Sequence, residues 1–203
     1  MQAADYTKHK VLSPIIAAVE QALKSKKRDM GSQKTLILAI DGCCGSGKTY
    51  YSNLIADYFG ASIIRCDDFF LPKQMRTPER LSEIGGNVHY ERLAEVLDKV
   101  RQGKPFIYQA YDCSTDSFVD RSFVPSDVVV VEGSYALRSD LTGYYDVKVL
   151  LTVDGETQYN RLLQREGKDG IINFVNKWIP LENKYFDQLD RSQCLIIDTN
   201  YNH

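Results

Sequence analysis

The chain has 203 residues, 43% hydrophobic and 26% charged, the size and composition of one ordinary globular domain able to bury its own core. Lys and Arg number 25 against 27 Asp and Glu; the resulting net charge of −2 argues against nucleic acid as an obligate partner. With no apolar run of transmembrane length, no apolar signal-peptide core and five cysteines without a Cys-x-x-Cys pair, the expectation is a cytoplasmic protein with free thiols, no membrane association and no zinc site.

The first predicted element is a helix. Val11, Leu12, Ile15, Ile16, Val19, Ala22 and Leu23 fall near helical spacing. Lys24, Lys26, Lys27 and Arg28 follow, where cations suit a helix C-terminus. Residues 1–33 are read as this helix with its lead-in, and 34–203 as the main domain. The period then changes. Thr35–Ile40 is a continuous apolar run with β-branched residues, as in a strand buried on both faces. Further strands are expected at Ala61–Cys66, Asp127–Val131, Val147–Val153 and Cys194–Ile197. Between them, helical patterns cover residues 49–59, stopped by Gly60, and 88–101, with Asn87 as the N-cap candidate. Alternating strands and helices predict an α/β fold with a mostly parallel sheet, helices on both faces and ligands beyond the carboxyl ends of the strands.

Immediately after the first strand stands Gly42-Cys-Cys-Gly-Ser-Gly-Lys-Thr49, a match to G-x-x-x-x-G-K-[ST]. Glycines let the backbone curl so that N–H groups converge on phosphate oxygens, and the following helix adds its positive end. Lys48 is placed to reach the β- and γ-phosphates of ATP, and the Thr49 hydroxyl to ligate Mg²⁺. The expected ATP-binding set is Gly42, Cys43, Cys44, Gly45, Ser46, Gly47, Lys48, Thr49 and Tyr50. Cys43 and Cys44 are either fillers that contribute only amides, or oxidisable thiols beside a helix N-terminus.

The other strand tips carry acids. Asp67 and Asp68 follow the second strand, and Glu132 follows Val131. Phosphoryl transfer needs an anion to hold Mg²⁺ and a base for the attacking hydroxyl, and these tips supply both on the edge of the phosphate loop. Downstream, Arg161 and Arg165 share one face of a short helix over 154–167, a candidate lid that neutralises charge on the transferred group. The punctuated segment 71–90 offers Arg76, Arg80, Asn87 and His89 for an acceptor pocket, with Tyr108, Tyr111 and Asp112 across from them and Asp68 nearby. Phe174, Trp178, Tyr185, Phe186 and Leu189 form a helical stripe read as packing, kinked or divided at Pro180.

Taken in order, the phosphate loop, Asp67-Asp-Phe-Phe70, Gly86-Asn-Val-His-Tyr90, Tyr111-Asp112, Val131-Glu-Gly133 and the Arg161/Arg165 helix resemble the uridine kinase-like group of small-molecule kinases, which includes phosphoribulokinase and the bacterial type of pantothenate kinase. The resemblance runs from about residue 34 to 198. It implies a P-loop NTPase fold with a five-stranded parallel sheet and a helical lid. It also implies Asp67 as general base, Thr49 and Glu132 at the Mg²⁺ site, and Arg161 and Arg165 as lid arginines. Uridine kinases carry an Asp where His89 stands, and a His and an Arg where Asp116 and Phe118 stand. A small-molecule acceptor other than uridine is therefore expected, since a site built on missing hydrogen bonds rejects its ligand strongly. The rival expectation is a nucleotide-dependent switch that hydrolyses slowly and reports to a protein partner.

Overall fold

A computed structural model describes Tyr6, residues 9–28 and residues 35–200. Helix α1 spans Leu12–Arg28, and strand β1 spans Leu36–Gly42. Then come α2 (Lys48–Phe59), β2 (Ser62–Arg65), a 3-10 turn at Cys66–Phe69, the short α3 (Pro78–Ser82) and α4 (Tyr90–Arg101). A hairpin, β3 (Phe106–Asp112) and β4 (Ser117–Phe123), precedes β5 (Val128–Glu132) and β6 (Val147–Thr152). The chain ends in α5 (Gly155–Asn173), a π-helical segment at Phe174–Trp178, α6 (Ile179–Gln188) and β7 (Leu195–Asp198).

Five strands form one parallel sheet in the order β2-β5-β1-β6-β7. Strand β1 lies at its centre with every residue buried, as its unbroken apolar run requires. Its side chains alternate between two cores. Leu36, Leu38 and Ile40 meet Leu12, Ile15 and Val19 of α1 and Ile55 of α2. Ile37 and Ala39 face Leu93, Leu97 and Val100 of α4. Each such aliphatic side chain withdrawn from water stabilises the fold by about 1.5–3 kcal/mol. Lys26 anchors α1 to the sheet through the Thr35 carbonyl and Asp146, both at 2.8 Å. The side chains of Lys27 and Arg28, and the expected boundary at 33/34, lie outside the described residues.

One expectation is corrected, and two features are added to it. The N-cap of α4 is His89, not Asn87: its Nδ1 accepts the Arg92 amide at 3.4 Å. The β3–β4 hairpin was not foreseen. Apart from Phe123 its second strand is solvent-exposed and polar at Asp120 and Arg121, so it lacks a buried strand's apolar signature. The punctuated 71–90 segment holds a 3-10 turn at Lys73–Met75 and α3. Arg80 binds it together, donating to Gly86 O, Val88 O, Tyr90 and Glu91.

The helix expected to end at Gly167 does break there: that residue has φ 73° and ψ −179°, and the helix resumes beyond it to Asn173. Pro180 sits in the first turn of α6, directly after the π-helical segment. A missing amide is tolerated in a first turn, and the backbone there stays helical.

Candidate active site

The carboxyl ends of β1, β2 and β5 meet on one edge of the sheet. Between β1 and α2 the phosphate loop turns on Gly45 and Gly47, whose φ values of 80° and 89° suit glycine. Gly47 caps α2 with no side chain bonded over the helix end, so the first amides of α2 are presented to whatever lies beyond. Lys48 folds over the loop, its Nζ 2.7 Å from Gly42 O and 3.0 Å from Cys43 O. Behind the loop, Asp41 is wholly buried and accepts bonds from the Gly42 amide at 2.6 Å, the Leu137 amide at 2.9 Å and the Tyr185 hydroxyl at 2.7 Å.

Burial pushes the Asp41 carboxyl up to about 6, against three hydrogen bonds and the Lys48 charge that pull it down. The folded protein therefore keeps this proton to a higher pH than the unfolded chain, whose carboxyl ionises near 3.8. Between those values the native state binds more protons, so stability falls as pH rises. The expected loss from this group is about 2–3 kcal/mol. In denaturant melts from about pH 4 to 7 the difference between wild type and Asp41→Asn should shift by that amount, and a constant difference would refute the assignment.

A cavity of about 550 Å³ opens over the loop, lined by Lys48, Thr49, Asp67, Glu132, Arg161 and Arg165 among others. The expected phosphate-loop, acid and arginine positions are thus gathered in one place. Cys44, Gly45, Gly47 and Tyr50 line it as well, whereas Gly42, Cys43 and Ser46 do not. Thr49 Oγ1 lies 3.2 Å from each Glu132 carboxylate oxygen, and Arg65 donates to the same carboxylate at 2.8 Å. Burial raises the Glu132 carboxyl even so, with the Arg65 bond opposing it.

A hydroxyl and a carboxylate oxygen at that separation fit neighbouring corners of a Mg²⁺ octahedron, whose edge is about 3 Å. Mg²⁺ commonly uses one or two protein oxygens together with phosphate, so the donor set suits it. Among the described residues no group of three or more His, Cys, Asp or Glu forms a metal cluster.

Asp67 is open to solvent and lines this cavity, and surrounding protein still raises its carboxyl from the ordinary value, opposed chiefly by Lys48. It also borders a second cavity of about 390 Å³, together with Phe70, Tyr111, Asp112, Cys113 and Arg121. Asp67 and Phe70 are the wall between the two cavities. The second cavity is made by the hairpin, which Asp68 ties to the tip of β2. Its oxygens accept the Tyr108 hydroxyl at 2.7 Å and pair with Arg121 at 3.2 Å, while Phe69 stacks on Tyr108. Asp68 is therefore an anchor, not a cleft residue.

The remaining acceptor candidates divide. Tyr111 and Asp112 line the hairpin cavity; the Tyr111 hydroxyl bonds Asp116, and Asp112 accepts Ser114 N at 2.8 Å in the hairpin turn. Asn87 and Val88 line the larger cavity, brought there by the bridge between Phe70 and Val88. Arg76, Arg80 and His89 line neither. Arg76 donates to Leu71 O and covers the Tyr111 ring, and His89 lies 3.1 Å from Glu91. On the lid side, Arg161 donates to Gly45 O at 3.1 Å and Thr199 O at 2.6 Å. Arg165 lies over Phe174.

Cleft residues that the sequence did not mark as such include Arg121, Ser134, Tyr135, Phe174, Trp178 and Glu182. Arg121 sits on the unforeseen hairpin. Phe174 and Trp178 belong to the aromatic stripe, and Glu182 lies within its span; that spacing signals packing and not chemistry.

The environment of the loop thiols disfavours their thiolate forms. Burial pushes Cys43 up to about 11, and burial together with Glu182 raises Cys44 further. At neutral pH iodoacetamide should label exposed Cys113 first and leave Cys43 and Cys44 unmodified, as read by peptide mass spectrometry. Labelling of either loop cysteine ahead of Cys113 would contradict this.

Comparison with known proteins follows the same outline. The model of the phosphoribulokinase / uridine kinase family matches residues 37–170. A uridine kinase from Staphylococcus epidermidis is 28% identical over 181 residues, covering 81% of this chain and 87% of that one. A uridine kinase from Bacillus thuringiensis is 28% identical over 187 residues, covering 83% and 87%. The solved D-glycerate 3-kinase of Cryptococcus neoformans superposes with a TM-score of 0.65 at 14% identity, covering 92% of this chain and 94% of that one, a likeness of fold.

Proposed function

We infer the residue roles from one premise: the chain belongs to the phosphoribulokinase / uridine kinase family. It is a phosphotransferase of the small-metabolite kinase type. Its donor phosphates lie in the 550 Å³ cavity, held by loop amides, the N-terminus of α2 and Lys48. Thr49 and Glu132 would hold Mg²⁺, which would offset the charge of the donor phosphates. The acceptor lies in the hairpin cavity, where Arg121, Tyr111 and Asp112 orient it.

The observation that carries this reading is the position of Asp67 on the wall shared by the two cavities. From there one carboxylate can take the proton of an acceptor hydroxyl on one side as that oxygen attacks the terminal phosphorus on the other and the bond to the bridging oxygen breaks, releasing ADP. Arg161 and Arg165 stabilise charge on the group in flight, and closure over it excludes the water that would otherwise hydrolyse ATP. The acceptor is a hydroxyl-bearing metabolite other than uridine. His89 is turned into the cap of α4, and Val88 takes the place beside Phe70 in the cleft, so no carboxylate from this stretch reaches ribose hydroxyls. The test is a mass-spectrometric screen of pooled nucleosides, sugars and vitamin-like alcohols with γ-labelled ATP. A labelled product from a compound other than uridine is expected, and label found only in inorganic phosphate, whatever the pool, would overturn the kinase reading.

A further inference from the structure

Glu182 is a carboxylate of the cleft that the roles above leave unassigned. It lies on α6, is only 4% exposed, and accepts the Cys44 amide at 2.8 Å and the Ser134 hydroxyl at 3.0 Å. Three residues on, and so on the same helix face, Tyr185 donates to Asp41 at 2.7 Å. One face of α6 therefore holds the phosphate loop at Cys44 and the end of β1 at Asp41. At Cys44 it presents a carboxylate to an amide of the loop.

We propose that Glu182 is a specificity-determining residue of the donor site: it competes with phosphate for the Cys44 amide and so excludes weak anions. The proposal rests on the reading of the loop as the donor site. A near-linear hydrogen bond has room for one acceptor at 2.8 Å. A phosphate oxygen bound to Cys44 N would thus have to replace the carboxylate, because two anions that close repel strongly where little water screens them. Inorganic phosphate brings a single phosphoryl group against this carboxylate and gains less from displacing it than a longer chain does. A triphosphate is also held by Lys48 and the first amides of α2, and it can displace Glu182. Discrimination between the two comes from the internal competitor as well as from the contacts to ATP, since specificity is a difference of affinities.

The test is calorimetric binding of inorganic phosphate, pyrophosphate and ATP with Mg²⁺ to the full chain, as wild type and as Glu182→Gln. Glutamine keeps the size and an oxygen for Cys44 while removing the charge. The emission of Trp178, the chain's single tryptophan and a lining residue of the same cavity, gives a second readout. Expected is a gain of about tenfold for inorganic phosphate and pyrophosphate in E182Q with a smaller gain for ATP, narrowing the discrimination. Unchanged discrimination, or weaker phosphate binding in E182Q, overturns the assignment. Should E182Q melt below wild type, Ser134→Ala, which removes the second hold on Glu182, is read in its place and should shift binding the same way. ATP binding by wild type with no effect of either variant defeats this inference alone, whereas failure of every protein to bind ATP defeats the donor-site reading with it.

Discussion

Asp67→Asn is expected to lower phosphoryl transfer by about 10²–10⁴-fold while leaving the Kd for ATP nearly unchanged. The two effects separate because the grip proposed for the nucleotide, main-chain amides and Lys48, stays in place when Asp67 is replaced. Asparagine keeps the shape of the side chain and its place between the two cavities, but it cannot accept the acceptor's proton. The pH profile should show the same cause. Surrounding protein, and Asp68 beside it, raise the Asp67 carboxyl, with Lys48, Arg65 and Arg165 opposing. A base must be ionised to act, so the acid limb of kcat/KM in wild type lies above the ordinary carboxylate value of 3.8. The residual rate of the variant should lack that limb. Full transfer by Asp67→Asn would refute the role.

Gly133→Ala should damage fold and chemistry together. Gly133 follows Glu132 with φ +144°, and a Cβ there would stand 2.5 Å from Cys66 Cβ and 3.1 Å from its Sγ. Cys66 immediately precedes Asp67, and β5 pairs with β2 up to Glu132 opposite Arg65. Relief of the clash must push apart the two strand tips that carry the acids. Overpacking and backbone strain together are expected to cost about 3 kcal/mol, a drop of roughly 6–12 °C in melting temperature. Displacement of one acid by a fraction of an ångström to one ångström should remove at least about tenfold in kcat beyond the loss of folded protein. Calorimetry and kcat on the same preparation check both. Gly143→Ala, where a Cβ meets nothing within 4 Å, is the matched control and should leave both unchanged. Equal behaviour of the two variants would contradict the account.

The donor side of this site is written in the sequence because its determinants are local. A curl of glycines after a buried strand can be read from consecutive letters, and Asp67 and Glu132 follow strands whose apolar runs mark their ends. The acceptor side depends on long-range pairing. Arg121 reaches the cleft only because β4 folds back on β3 and Asp68 ties that hairpin to the tip of β2, across 53 and 40 residues of chain for Arg121 and Tyr108. Nothing in the neighbours of Arg121 signals this. His89 shows the converse: a polar residue in a loop is also what a helix N-cap requires, and here the local demand prevails. Glu182 was hidden for a third reason, since a carboxylate among packing residues announces no partner until the loop 138 residues away is folded against it.

The central claim is that Asp67 stands between a phosphate-gripping loop and the acceptor. It is tested most directly by a crystal structure of the complex with a non-hydrolysable ATP analogue, Mg²⁺ and the acceptor found in the screen. The account predicts an Asp67 carboxylate oxygen within hydrogen-bond reach of the attacking hydroxyl, about 2.6–3.2 Å, with that hydroxyl facing the terminal phosphorus. An acceptor bound away from the hairpin cavity, or an Asp67 carboxylate turned away from its hydroxyl in the closed complex, would contradict it.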